Sequence, residues 1–493
     1  MRDWLSIRRS TTPERTALID DRSDRQRSYE ALDDAVDEMA ASLAGAGVDH
    51  GSAVGILLRT REAFVTAYWA IQRLGATAVP FNVRLATDEL RPQVEAIDPT
   101  VLVTGARHAE TATAIAETDA LVAVEETPVD EIRKMDAIEP AAPAPADRSL
   151  NDVAVVMFTS GTTGSPKPVA LTDRNLLSSA TASAFRLGTL PGDRWLLCLP
   201  MFHMGGLSVP IRTTLYGSTT VLHEGFEAES VLSSLDSYSA TGVSLVPTML
   251  RRLLDAGSMP SSLRFALIGG GSTPAELVDR ARAASVPIFP TYGMTETASQ
   301  ITTATPSEVA NHPETVGRPI LGTQVEIVDG EGTPRPPGEA GEIVVRGYTV
   351  SPGYYGETPT NRMPEGGEWL STGDVGYRDE SGRLYVTGRA TERIVTGGEN
   401  VSPETVESAL RDHPSVQAVA VVGLDDPEWG ERVAALIETD GELTESALDA
   451  FLRGRLADYE RPRTYAFVGA LPRTPSGTVD REAVRRRLRD AES

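Results

Sequence analysis

Residues 153–169 read V-A-V-V-M-F-T-S-G-T-T-G-S-P-K-P-V. The apolar run, rich in β-branched valine, predicts a buried strand. It breaks at Thr159 into a loop of small residues, Ser160, Gly161, Thr162, Thr163 and Gly164. Glycines let backbone N–H groups approach an anion closely, the hydroxyls add donors, and Lys167 adds a mobile point charge. The Walker spacing G-x-x-x-x-G-K-[ST] does not fit here, and the same residues also make an ordinary Ser/Thr/Gly turn. Lys167 stands out for a second reason: the chain has only two lysines, Lys134 and Lys167, so nearly all of its 46 basic residues are arginine.

Working outward, 493 residues exceed one hydrophobic core and predict two to four units, and 40% hydrophobic with 24% charged residues is the balance of a soluble globular protein. No apolar run reaches the roughly 18 residues of a membrane span, and the N-terminus lacks a signal-peptide core. One cysteine, Cys198, excludes internal disulfides and fits a reducing cytoplasm, and six scattered histidines argue against structural zinc. A net charge of −24 repels nucleic acid and anionic membrane, so neither is an expected partner. The acidic residues spread along the whole chain, and with arginine replacing lysine this resembles a halophilic protein. Oligomeric state is left open, a homo-oligomer included.

From residue 28 to 105, helical and strand patterns alternate: a helix over 29–43, a strand over 53–58, a helix over 62–75 and a strand over 101–105. That alternation predicts a mostly parallel, helix-covered sheet. Residues 106–150 lose the rhythm, and the A-A-P-A-P-A-D run at 141–147 reads as a linker or exposed loop. Asp173 is a candidate N-cap for a helix ending near Gly188. Strands over 195–200, 219–223, 242–247, 265–271 and 286–293 then predict a second α/β unit, with glycine-rich strand ends of the kind that bind ligands. Short strands and turns over 316–388 predict a small β-barrel-like part, and 389–493 reads as a separate α+β module. The expected architecture is α/β: a large N-terminal domain, 1–388, of two α/β subdomains (1–150 and 151–315) and a β-rich subdomain (316–388), then a smaller C-terminal domain, 389–493.

Six further stretches join the loop in order: G-G-G-S-T-P (269–274), Y-G-M-T-E-T (292–297), S-T-G-D (371–374), G-R-A-T-E-R-I (388–394), G-G-E-N-V-S-P-E-T-V-E (397–407) and P-R-T-P-S-G-T-V-D-R (472–481). Together they resemble the adenylate-forming superfamily of acyl-CoA synthetases, luciferases and peptide-synthetase adenylation domains. The resemblance implies an AMP-forming acid–thiol ligase that uses ATP, Mg²⁺ and coenzyme A. A carboxylate is a poor acceptor for a thiol until activated, and bringing it to a triphosphate needs cations and directed donors.

By this resemblance, Thr159, Ser160, Gly161, Thr162, Thr163 and Gly164 with Lys167 hold the β- and γ-phosphates, Thr295 meets the α-phosphate and Glu296 ligates Mg²⁺. Gly269, Gly270 and Gly271 form an adenine slot beside Tyr292 and Gly293, and Asp374 accepts the ribose hydroxyls with Arg389 assisting. The C-terminal module is implied to be mobile about a hinge near Arg389, where Thr391 and Glu392 stand in place of the usual Asp or Lys. Its Gly397, Gly398, Glu399 and Asn400 would line a pantetheine tunnel.

Residues 4–19, 193–212 and 292–300 are most similar to the 2-succinylbenzoate:CoA ligase branch of menaquinone synthesis. That substrate is an aromatic dicarboxylate, so Arg212 on an apolar helix is a candidate for neutralising the ring carboxylate, and His203 for the pocket mouth. Other aryl or fatty acyl-CoA ligases, amino-acid adenylating enzymes and an adenylation-impaired nucleotide-binding homologue stay open. The last arises because Thr478 occupies the position of the family's S-G-K lysine, which reaches the α-phosphate. Its loss costs about 3–4 kcal/mol of transition-state stabilisation unless Arg473 or Arg481 reaches in. Pro168 departs from the usual glycine and stiffens the loop's exit.

Overall fold

The computed structural model describes residues 3–143, 148–159, 166–356, 369–389, 394–396, 399–426, 430–441, 443–453, 455–456, 458–474 and 478–492. The fold is α/β, as expected, and the chain divides into two compact units: 1–325 with 345–370, and 326–344 with 371–493.

In the first unit, two sheets share one core. The eight-stranded sheet runs Gly353–Tyr354, Lys167–Thr172, Val153–Thr159, Thr77–Pro80, Ala53–Leu57, Val101–Thr104, Leu121–Ala123, Arg133–Lys134. The nine-stranded sheet runs Arg318–Pro319, Thr302–Thr303, Ile288–Tyr292, Phe265–Ile268, Gly242–Leu245, Arg194–Leu197, Thr219–Leu222, Thr16–Asp20, Arg25–Ser28. The first sheet thus takes strands from both sides of residue 150, and the second takes the N-terminal hairpin. Val54, Ile56, Val155 and Met157 of the first sheet share a cluster with Trp195, Leu197, Phe265 and Leu267 of the second. Leu207, Val209 and Ile211 of the helix Met204–Tyr216 belong to the same cluster. Because both faces of these parallel strands are covered, their sequences read as unbroken apolar runs.

The helix Asp173–Leu187 begins one residue earlier than the sequence reading placed it. Thr172 is the N-cap: its hydroxyl accepts from Asn175 N at 3.3 Å, while Asn175 Oδ1 accepts from Thr172 N at 2.8 Å. Asp173 is instead the first helical residue, buried and ion-paired with Arg148. A carboxylate that meets a guanidinium from a neighbouring segment is drawn off the cap, and the threonine before it takes over. Asn175 also donates from Nδ2 to the carbonyls of Tyr348 and Val350, each at 2.8 Å, which fixes the segment leading to Tyr354. Thr172→Ala is expected to cost about 1 kcal/mol. Asn175→Ala is expected to cost about 2–3 kcal/mol, because it leaves buried backbone groups unpaired. Urea unfolding of both variants gives the ordering.

In the second unit the antiparallel pair of residues 374–378 with Leu384–Arg389 carries the 371–374 motif. The same unit also carries a five-stranded sheet built on Ala418–Asp426 and Gly430–Glu438. Period-2 alternation sends Val419, Val421, Val433 and Ala435 to one core, with Val406 and Leu448. Ala420, Val422, Ala434 and Leu436 face the other, with Val484 and Leu488 of the terminal helix. No helix among the described residues is long and apolar enough to cross a membrane.

Candidate active site

Thr159 and Lys167 are register partners closing the hairpin between Val153–Thr159 and Lys167–Thr172. Ser160, Gly161, Thr162, Thr163 and Gly164 lie outside the described residues. Lys167 Nζ sits 5.2 Å from the centroid of the Tyr354 ring, and Tyr354 is fixed by pairing with Val169. Pro168 gives up its N–H, but its carbonyl still accepts from Tyr355 N at 2.8 Å, so the strand keeps that edge.

Glu296 is tied to the same strand through Ser351. Ser351 N donates to the Glu296 carbonyl at 2.8 Å, and Ser351 Oγ donates to the Ala170 carbonyl at 2.6 Å. Ser351 has no sequence motif behind it, yet it anchors the main chain of the acidic residue to the lysine hairpin. The turn Thr295–Thr297 is shaped by Thr297, whose Oγ1 accepts from Met294 N at 3.2 Å. Ala298 and Ser299 follow at φ 51° and 103°. A Cβ on Gly293 would fall 1.8 Å from the Ser299 carbonyl oxygen, so only glycine lets the loop fold back and leave Thr295 and Glu296 half-exposed.

Gly269, Gly270 and Gly271 follow the strand Phe265–Ile268, which pairs in parallel with the strand ending at Tyr292. Gly270 has φ +75°, and a Cβ on Gly269 would press on Thr291 at 2.9 Å. The structure therefore gathers the glycine run, Tyr292, Gly293, Thr295 and Glu296 at adjacent C-terminal strand ends of one sheet, where open α/β sheets bind ligands.

His203 caps the helix Met204–Tyr216 without a side-chain hydrogen bond, its ring 4.8 Å from that of Phe202. The surrounding protein and, second, the Arg84 guanidinium hold its pKa below the ordinary histidine range, so the imidazole is neutral at pH 7. Arg212, about two and a half turns along the same helix, is 1% exposed. Its Nη2 donates to Gln300 Oε1 at 2.9 Å and its guanidinium lies 5.7 Å from the Trp195 ring centroid. Among the described residues Nε and Nη1 have no hydrogen-bond partner and no carboxylate pairs with the guanidinium. Burial pushes its pKa down.

In the second unit, Asp374 is buried and directly opposite Arg389 on the neighbouring strand. Gly373 at φ +70° and the Thr372 hydroxyl, which accepts from Asp374 N at 3.1 Å, fix its backbone. Glu399 and Asn400 lie on the strand Glu399–Val401. Gly397, Gly398, Thr391 and Glu392 are outside the described residues. Thr478 is exposed on a hairpin: its carbonyl accepts from Thr474 N at 2.8 Å, and its hydroxyl meets that of Thr474 at 2.7 Å. Arg481 is not available to replace a lysine, because it donates to Glu407 Oε1 at 3.2 Å and to the Val421 carbonyl at 2.6 Å. Glu407 is buried, which raises its pKa against the opposing pull of Arg481. Arg473, bridged to Val479 beside Thr478, is exposed.

A strand pair ending at Lys167, a glycine-lined strand end and an acidic turn all lie in one doubly sheeted α/β unit. The chain belongs to the AMP-binding enzyme family: residues 6–355 match the AMP-binding enzyme domain and 405–478 its C-terminal domain. Among relatives, the 2-succinylbenzoate–CoA ligase of Bacillus pumilus is 37% identical, the match covering 98% of this chain and 97% of that one. The o-succinylbenzoate CoA synthetase of Bacillus subtilis in complex with its acyl-adenylate intermediate is 34% identical, covers 98% of both chains and has a TM-score of 0.89. The same enzyme in complex with ATP and magnesium ion is 34% identical over 99% of this chain and 100% of that one, with a TM-score of 0.88.

Proposed function

We propose that the protein is an ATP- and Mg²⁺-dependent acid:CoA ligase that converts 2-succinylbenzoate to 2-succinylbenzoyl-CoA in menaquinone synthesis, in a cytoplasmic, high-salt setting. The observation that carries the substrate is Arg212: a buried cation with two nitrogens unpartnered and no carboxylate beside it among the described residues. Such a group is costly beneath a fatty chain and suits a substrate that brings a second carboxylate.

The succinyl carboxylate attacks the α-phosphorus of ATP and pyrophosphate leaves; the thiol sulfur of CoA then attacks the acyl carbon and AMP leaves. Lys167, with the 159–164 loop, neutralises the β- and γ-phosphates, and Thr295 donates to the α-phosphate. Tyr292 and residues 269–271 hold adenine, with Gly293 giving the turn its shape, and Asp374 with Arg389 holds ribose. Glu296 fits Mg²⁺, since that ion takes one or two carboxylates and completes its shell with substrate phosphates and water; it would supply charge neutralisation there. His203, neutral, closes the pocket mouth as a donor. The split at 389, a hinge near Arg389, Thr391 and Glu392, and a pantetheine tunnel along Gly397, Gly398, Glu399 and Asn400 belong to the same proposal and rest on the motif resemblance.

ATP–pyrophosphate exchange and thioester formation across a panel of acids test this reading. Turnover of medium-chain fatty acids without the aromatic dicarboxylate overturns it. Arg212→Met is expected to raise KM for 2-succinylbenzoate about 10- to 100-fold. Its melting temperature should hold or rise, because a buried charge is replaced by an apolar side chain. Thr478 favours a second reading, a homologue that binds ATP without releasing pyrophosphate, and the same exchange assay separates the two.

A further inference from the structure

We infer that Gln300 is a positioning and specificity-determining residue: it aims the Arg212 guanidinium and, being neutral, leaves the charge of Arg212 for the second carboxylate of the substrate. This rests on the dicarboxylate reading above.

Gln300 is fully buried at the end of the segment that carries Tyr292, Thr295 and Glu296. A guanidinium only donates, so the amide atom facing Arg212 Nη2 at 2.9 Å is the oxygen. The other end of the amide is fixed independently: Nε2 donates to Thr303 Oγ1 at 2.8 Å and to Thr291 Oγ1 at 3.4 Å. Those two hydroxyls lie 2.9 Å apart, and Thr291 Oγ1 donates to the Thr302 carbonyl at 2.7 Å. The amide is therefore held at both ends and cannot turn without losing bonds on each side.

The contact with Arg212 supplies one neutral acceptor and no charge. Ser179 Oγ, at 3.5 Å, is a second and longer neutral acceptor for the same Nη2. Nε and Nη1 of Arg212 remain without partners, as do Ser208 Oγ, one helical turn before it, and Thr302 Oγ1. A glutamate at 300 would occupy the same volume and pair with Arg212 internally. The choice of amide over acid keeps the cation uncompensated in a place where an internal ion pair was sterically available, and that choice selects for an anionic ligand group.

The test is Gln300→Glu, assayed for thioester formation with 2-succinylbenzoate and with 4-oxo-4-phenylbutanoate, the same acid lacking the ring carboxylate. The expected result is a KM for 2-succinylbenzoate raised about 10- to 100-fold with little change in kcat. The KM for 4-oxo-4-phenylbutanoate should stay within about threefold, which also reports that the variant is folded. A merely structural role would move both acids together. Should the glutamate variant fail to fold, Gln300→Met must raise KM for the dicarboxylate selectively. A variant that keeps the wild-type ratio of the two KM values overturns the role of Gln300. A wild-type enzyme that does not prefer the dicarboxylate overturns the substrate reading instead, and the inference falls with it.

Discussion

Replacing Lys167 by alanine is expected to lower ATP–pyrophosphate exchange about 10²- to 10³-fold, the usual cost of removing one preorganised donor from developing charge. The folded state should hardly notice. Lys167 is half-exposed at a hairpin end and its ammonium lies over the Tyr354 ring, so the expected change in stability is within about 0.5 kcal/mol. Lys167→Arg is the sharper control. This chain uses arginine at nearly every other basic position, and its structure shows why: Arg73 alone pairs with Asp3, Asp33 and Asp37, and Arg61 grips both oxygens of Glu125. A planar fork suits that work, whereas a compact ammonium on a flexible stem suits a triphosphate that must enter and leave. Arginine at 167 is therefore expected to recover only part of the loss. Unchanged exchange in Lys167→Ala, with melting also unchanged, would remove Lys167 from the reaction.

Much of this could be read from the residues because the central strands are buried on both faces. Phe265–Ile268 is a continuous, fully buried apolar run ended by glycine, and such a run has few alternative readings. The site was legible where backbone shape demanded a residue type, as at Gly293 and Gly270. It was not legible where long-range partners decide. Asp173 looks like a cap until Arg148 claims it, and Arg148 lies 25 residues earlier. Ser351 reaches Glu296 and Ala170 across 55 and 181 residues, and no local pattern marks either contact. Gln300 was visible only as the end of the 292–300 stretch of similarity. Its meaning depends on a guanidinium 88 residues away on a helix between two sheets.

Where no other cation serves the α-phosphate, installing a lysine at Thr478 is expected to speed the first half-reaction about 10²- to 10³-fold, the inverse of losing one donor to a developing oxyanion. The position tolerates it. Thr478 is exposed, its carbonyl is held by Thr474 N, and among the contacts a lysine would forfeit is the hydroxyl pair with Thr474. The wild-type chain cannot draw on Arg481, since withdrawing it would strand the buried carboxyl of Glu407 and the Val421 carbonyl, at a cost of several kcal/mol. Arg473, bridged to Val479 next to Thr478 and exposed, is the other cation the sequence offers. The two possibilities separate cleanly. If Arg473 already supplies the charge, Arg473→Ala abolishes exchange and Thr478→Lys restores it in that background while adding little to the wild type. If nothing supplies it, Thr478→Lys raises exchange in the wild type and Arg473→Ala changes little. In both cases thioester formation from pre-made acyl-adenylate and CoA should stay the same, because the missing cation acts on the α-phosphate and the thiol attacks a carbon that is already activated.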